Sequence, residues 1–171
     1  ASVETLYHPE YKNVPMAVAG ESEDRHGIIL AKNMLAKKFG VQTAEPIWQA
    51  RKKCPQLVTC KPHSERYMKY SNLAYDIYSQ YTDKIESFGL DECWLDVTGS
   101  VRLFGNGREI AEKIRKRIKE ELGLTVSIGV SFTKEFAKLG SDYKKPDAIT
   151  EFTRENFKDI VWKLPVEEIL Y

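Results

Sequence analysis

Asp91 and Glu92 stand side by side in "SFGLDECWLDVTGS", residues 87–100, between two apolar stretches that read as strands. An Asn-Gly pair would turn the chain without setting two like charges together. In a regular strand the two side chains would point to opposite faces. A turn breaks that alternation and lets both carboxylates converge. Convergent carboxylates resist ionisation unless a cation lies between them. Mg²⁺ suits such a pair, because it takes oxygen ligands and commonly one or two carboxylates plus substrate phosphates. Paired Mg²⁺ ions serve in-line phosphoryl displacement. The plain alternative is a solvated polar turn, which most adjacent acidic pairs are.

Other residues compete for attention. Cys54, Cys60 and His63 invite a zinc reading, but Cys-x5-Cys-x2-His lacks a fourth ligand and the usual spacing. Buried thiols and a surface imidazole account for them better, and His8 and His26 have no partner pattern. Asp96 shares the face of Glu92 and Trp94 on the alternating pattern, which fits a structural or supporting role. Tyr67, Tyr70, Tyr78 and Tyr81 could stack bases, but their helical spacing favours core packing. "KIRKRIK" at 113–119 reads as the solvated face of a helix. "RKK" at 51–53 with Lys37 and Lys38 is the better basic surface for a nucleic-acid backbone.

The elements that must position the acidic pair are legible from periodicity. "VPMAVA" (14–19) reads as a buried strand, 20–27 as a polar loop closed by glycines, and "IILAKNMLAKKFG" as a strand running into a helix ended by Gly40. Pro46 opens a helix over "IWQARKKC" that Pro55 stops, and "LVTC" is a further strand. From His63 to Tyr81 the apolar residues fall at helical spacing. "KIESF" (84–88) is a strand, 89–92 a turn and "CWLDV" (93–97) a strand. "NGREIAEKIRKRIKEELG" is an amphipathic helix with an Asn106/Glu109 capping box. "LTVSIGVSF" is a strand, and "TKEFAKLGSDYKK" a helix stopped before Pro146. The order α-β-β-α-β over 63–132, with one strand ahead of Ala1, is the split βαβ arrangement. That strand would run beside "CWLDV". "ASVETLYHP" reads as the inside of a helix with nothing in front of it.

Composition sets the bounds. The chain has 171 residues, 42% hydrophobic and 30% charged, with a formal net charge of +1. This is an ordinary globular mixture, and its global charge argues neither for nor against a polyanionic partner. Three scattered Cys without a Cys-x-x-Cys motif suggest a reducing, cytoplasmic setting. No apolar run is long enough to span a bilayer and no signal peptide is visible, so no membrane partner is expected.

Three blocks in order carry a resemblance. "GLDECWLDVTGS" resembles the Ser-Ile-Asp-Glu-x-Tyr-Leu-Asp signature of the Y-family translesion DNA polymerases, in particular the DinB or DNA polymerase IV branch. "AKKFGVQTAEPIWQARKKCP" resembles the family's fingers segment, and "VSIGVSFTKEFAKLGSDYKKPD" its Lys-Pro block. "ASVE" resembles the segment just after the family's first catalytic strand, and "LPVEEILY" the lead into a thumb. The resemblance implies an α+β fold, with a ferredoxin-like (split βαβ) palm at 1–6 and 63–171 and a small α/β fingers insertion at 7–62. It implies that Asp91 and Glu92 are catalytic metal ligands for two Mg²⁺ ions. Lys145 matches the Lys before Pro that contacts the triphosphate. Lys37 stands where the family often has an Arg reaching the same phosphates, and it supplies charge without the bidentate fork. Gly89, Trp94, Ala31 and Met34 depart from the residues usual at their positions.

The expected parent reaction is template-directed transfer of a deoxynucleoside monophosphate to a primer 3′-hydroxyl. The expected partners are primer–template DNA and deoxynucleoside triphosphates, with a sliding clamp reached through parts beyond Tyr171. The family's first metal-binding Asp, its steric gate, thumb and little finger fall outside the sequence, so the chain by itself is expected to show little or no polymerase activity. Two other readings stay open: a nucleotidyl cyclase, which needs no template, and a non-catalytic nucleic-acid-binding module.

Overall fold

The computed structural model describes residues 1–20 and 27–166. The body of the polar loop expected at 20–27, His26 and the last five residues of the 164–171 segment lie outside the described residues. The chain divides into two compact units, Ala1–Met68 and Lys69–Tyr171.

The first unit is built on a three-stranded sheet. α1 (Ser2–Tyr7) and a single 3-10 turn precede β1 (Met16–Ala19), which is buried at all four residues. β2 (Ile29–Lys32) pairs with β1 antiparallel, and β3 (Val58–Cys60) pairs with it parallel, giving the order β2-β1-β3. α2 (Met34–Lys38) and α3 (Ile47–Lys53) lie between β2 and β3 in the chain. Asn33 fixes the start of α2. Its Oδ1 accepts from Ala36 N at 2.9 Å and from Met16 N at 3.1 Å, and its Nδ2 donates to the Val14 carbonyl at 2.8 Å. Ala17, Ile29, Ala36, Val41, Ile47, Ala50, Cys54 and Leu57 form the core of this unit.

A carboxylate is buried in the same unit. Glu4 of α1 has no solvent exposure. It accepts from Tyr67 Oη at 2.6 Å and Arg66 Nη1 at 3.0 Å, and it meets His63 Nδ1 at 3.1 Å. These donors supply what a buried carboxylate requires. His63 is thereby occupied, and among the described residues no group of three or more potential metal ligands exists.

The boundary between units falls inside α4 (Ser64–Ser79). In the second unit, β4 (Ile85–Phe88) and β5 (Glu92–Leu95) form an antiparallel hairpin. α5 (Val101–Phe104) is a single turn, and α6 (Gly107–Leu122) follows with the expected Asn106/Glu109 capping box and a left-handed Gly123 at its end. Then come β6 (Ile128–Ser131), α7 (Lys134–Tyr143), β7 (Ile149–Phe152) and α8 (Phe157–Val161). The order α-β-β-α-β expected over 63–132 is thus present as α4, β4, β5, α6 and β6. Ile77 of α4 and Tyr81, two residues past its end, pack with Ile110, Ile114 and Ile118 of α6, and Tyr78, Leu95, Val97 and Ile128 pack against them. Packing, not base stacking, therefore occupies Tyr78 and Tyr81.

The boundaries differ in places. The second hairpin strand is Glu92–Leu95, not 93–97, and the strand expected over 124–132 is only four residues long. β7 was not expected. It pairs with β6 in parallel, from Ile128↔Ile149 to Ser131↔Phe152. Among the described residues no ladder joins β5 to β6, so each has one unpaired edge.

α7 comes unusually close to β6. A Cβ built on Gly129 would lie 1.8 Å from the Ala137 carbonyl oxygen and 2.6 Å from Ser141 N. A Cβ on Gly140 would lie 3.1 Å from Gly129 Cα. Two glycines facing each other let helix and strand backbones touch, which sets where the side chains of α7 fall.

Candidate active site

The hairpin turn is short. Gly89 takes φ +77°, a conformation most residues resist, and Phe88 pairs directly with Glu92 across residues 89–91. Ser71 Oγ of α4 donates to the Leu90 carbonyl at 2.5 Å and pins the turn. Glu92 is therefore the first residue of β5, and Asp91 the last of the turn. The reading that put both in the turn was one residue off, because the left-handed glycine closes it early.

From Glu92 the strand alternates. Leu95 faces the core, and Cys93 is half-buried beside Tyr78. Burial pushes the Cys93 thiol up to about 11. Burial also pushes the Tyr78 hydroxyl up to about 12, with further contributions from the charges of Cys93 and Asp91. Asp91 is exposed, and its charge is felt on α4. Glu92 is engaged on α7, where Lys138 Nζ donates to its Oε1 at 2.6 Å. The two carboxylates thus stand at the junction of turn and strand but have different neighbours.

Lys138 was not singled out from the sequence. Its side chain is only 14% exposed, and its ammonium also lies 3.1 Å from Asp142 Oδ2. Asp142 Oδ1 in turn meets Lys145 Nζ at 2.5 Å. Glu92, Lys138, Asp142 and Lys145 form a ladder of alternating charge, which joins two of the expected site residues through two that were overlooked. Burial alone would lower the pKa of Lys138, but its hydrogen bonds to Glu92 and Asp142 outweigh that and hold it above the ordinary value. Burial raises that of Asp142, and hydrogen bonds from Lys145 and Lys138 more than offset it, leaving the carboxyl below its ordinary value.

Beside this ladder the outer face of the hairpin is aromatic. Phe88 and Trp94 have ring centroids 5.0 Å apart, and Trp94 Nε1 donates to the Lys134 carbonyl at 3.1 Å. Lys134 Nζ lies over the Trp94 ring and pairs with Glu86. Asp96 is occupied locally: Oδ1 accepts from Thr98 N at 3.0 Å, and Oδ2 lies 3.6 Å from Lys84 Nζ.

The remaining basic residues divide. Lys37 is exposed in the last turn of α2. Of "RKK", Lys53 bonds Glu45 at 2.5 Å and Lys52 lies over Trp48, so the cluster serves its own unit in part. "KIRKRIK" is largely engaged: Arg115 and Lys119 both hold Asp147, at 2.9 and 2.8 Å, and Arg117 holds Glu121 and Gln80.

The donor set fits a hard divalent cation. Asp91 and Glu92 offer oxygen only, and Glu92 already holds a cation, the ammonium of Lys138.

The impB/mucB/samB family profile matches residues 1–142. The chain belongs to this family. Its members among curated proteins include the DNA polymerase IV of Acetivibrio thermocellus, 60% identical over 171 residues. That match covers 100% of this chain and 43% of the relative. The DNA polymerase IV 2 of Bacillus subtilis is 40% identical over 169 residues, 97% of this chain and 41% of the relative. Among solved structures, DinB from Sulfolobus solfataricus superposes with a TM-score of 0.90 at 32% identity, covering 98% of this chain and 49% of that one. An insertion ternary complex of Dbh DNA polymerase gives 0.88 at 31% identity, covering 97% and 49%. The chain therefore spans less than half the length of these relatives. The resemblance to Y-family DNA polymerases is borne out, and so is the α+β fold class it implied. No helix among the described residues is long and apolar enough to cross a membrane.

Proposed function

We propose that the protein carrying this chain is a template-directed DNA polymerase of the translesion type, acting in the cytoplasm on primer–template DNA and deoxynucleoside triphosphates. Residues 1–6 and 63–171 are assigned to its palm, and 7–62 to its fingers. The primer 3′-hydroxyl attacks the α-phosphorus of the incoming nucleotide, and pyrophosphate leaves. Asp91 and Glu92 are the ligands for divalent metal, two Mg²⁺ in the working enzyme. The bound ions supply a more acidic attacking hydroxyl and charge compensation at the leaving oxygen. Lys145 offsets charge on the triphosphate, and Lys37 is assigned the same task from its place in the fingers sequence. The observation that carries this reading is the ladder: a carboxylate of the acidic pair and the lysine before Pro146 lie at its two ends, spaced by one part-buried ammonium and one carboxylate.

A chimera tests the proposal. This chain replaces the matching residues of the Acetivibrio thermocellus DNA polymerase IV, and primer extension is measured with Mg²⁺. Synthesis that Asp91→Asn and Glu92→Gln each reduce at least ~100-fold supports the assignment, since each removes charge needed in the transition state. A folded chimera without activity, or variants that stay active, would sink it. Cyclic product from a nucleoside triphosphate alone would point to the cyclase chemistry instead.

A further inference from the structure

We infer that Lys138 and Asp142 couple the two ends of the site, so that a cation taken up at Glu92 releases Lys145 to bind phosphate. This rests on the assignment of Lys145 to the triphosphate.

Each charge in the ladder has a limited number of partners. Glu92 Oε1 holds Lys138 at 2.6 Å, and Lys138 divides itself between Glu92 and Asp142. Asp142 divides itself between Lys138 at 3.1 Å and Lys145 at 2.5 Å. The Lys138 side chain is only 14% exposed, so when one partner is withdrawn its other carboxylate serves it better than water does. A second cation on Glu92 repels the ammonium and competes for the same oxygen. Lys138 then turns fully to Asp142, the one carboxylate left to it in the ladder. Asp142, now neutralised at short range, holds Lys145 less firmly. Lys145 is half-exposed and sits past the end of α7, free to swing toward an anion. In the empty site Asp142 keeps Lys145 occupied, and once Glu92 is capped Lys145 becomes available. Coupling of this kind is reciprocal: phosphate that draws Lys145 from Asp142 strengthens the hold of Asp142 on Lys138, which loosens Lys138 from Glu92 and opens that carboxylate to a cation.

Partly exposed ion pairs are individually weak, so the coupling is modest, about three-fold in affinity. The test is metal-free, so that phosphate chelation of metal does not enter. The purified chain is titrated calorimetrically with inorganic tripolyphosphate in excess EDTA. Lys145→Ala must weaken binding, and unchanged affinity would overturn both the placement of phosphate at Lys145 and the inference. Glu92→Gln imitates a neutralised Glu92 and should tighten binding about three-fold. Asp91→Asn removes the same charge one residue away but outside the ladder, and should do clearly less. On an Asp142→Asn background, Glu92→Gln should add nothing. Equal effects of Glu92→Gln and Asp91→Asn, or a Glu92→Gln effect that survives Asp142→Asn, would leave simple charge repulsion as the cause and refute the coupling while Lys145 keeps its role. Circular dichroism on each variant, with Lys138→Arg as a conservative companion expected to retain the coupling, separates these outcomes from misfolding.

Discussion

Glu4→Gln should cost the first unit about 3 kcal/mol. The carboxylate is fully buried and meets the Tyr67 hydroxyl, Arg66 Nη1 and His63 Nδ1 between 2.6 and 3.1 Å. Glutamine keeps the shape but loses the charge, and it turns one acceptor into a donor. Hydrogen bonds to a charged group contribute about 1.5–3 kcal/mol each against about 1 for neutral ones. The three contacts become at most two neutral ones and a donor facing a donor. Arg66 and His63 keep some water, with side-chain exposures of 29% and 41%, which holds the loss near the lower end of the 3–5 kcal/mol typical of a broken buried pair. Urea unfolding followed by circular dichroism measures the difference. Its pH dependence gives a second check. Burial raises the Glu4 pKa, but the bonds from Tyr67 and His63 and the charges of His63 and Arg66 outweigh it, leaving the folded value below the ordinary 4.5. The stabilisation is therefore complete above the unfolded value and is lost as pH falls through the folded one. The gap between wild type and variant should be full near neutral pH and should close in acid below about pH 4.5. A gap under about 0.5 kcal/mol near neutrality, the size expected of an ordinary surface change, or one that stays constant into acid, would show that the three donors do not act on a charged Glu4.

Three further outcomes are expected. Lys138→Met removes the ammonium that competes at Glu92, so Mn²⁺ binding followed by electron paramagnetic resonance should tighten several-fold, and unchanged or weaker binding would mean that Lys138 does not occupy the cation position. Gly129→Ala drives a methyl into the Ala137 carbonyl at 1.8 Å and should destabilise the second unit by about 2 kcal/mol or more, seen as a lower thermal midpoint, whereas Gly99→Ala, with nothing within 4 Å, should not. Burial places the Cys93 thiol near 11 and the Tyr78 hydroxyl near 12, so iodoacetamide should modify Cys93 slowly at pH ~8, and stability should fall as pH rises past about 9, where the unfolded Cys93 loses its proton, and more steeply past about 10, where the unfolded Tyr78 follows.

Period-two alternation around residue 90 marks the hairpin, and the capping box with its isoleucine stripe marks α6, because both signals are local. Glu92 was misplaced by a residue because a turn with a left-handed glycine closes on three residues, and boundaries of that kind depend on one dihedral angle. β7 and α8 escaped because each is only four or five residues long, and the parallel ladder of β7 exists only once α7 has crossed over. Lys138 and Asp142 are the instructive omission. On a helix, a Lys four residues before an Asp looks like a solvated pair of little consequence. What makes them part of the site is a tertiary contact: Gly129 and Gly140 bring α7 against β6, and from there Lys138 reaches Glu92 on β5. The glycines carry no chemistry, and the lysine is one of several charges on its helix, within the block that resembles the family's. Only together do they set an ammonium beside one member of the acidic pair, and that explains how adjacent carboxylates are tolerated at this turn: one is neutralised by α7 and the other stands in water beside α4.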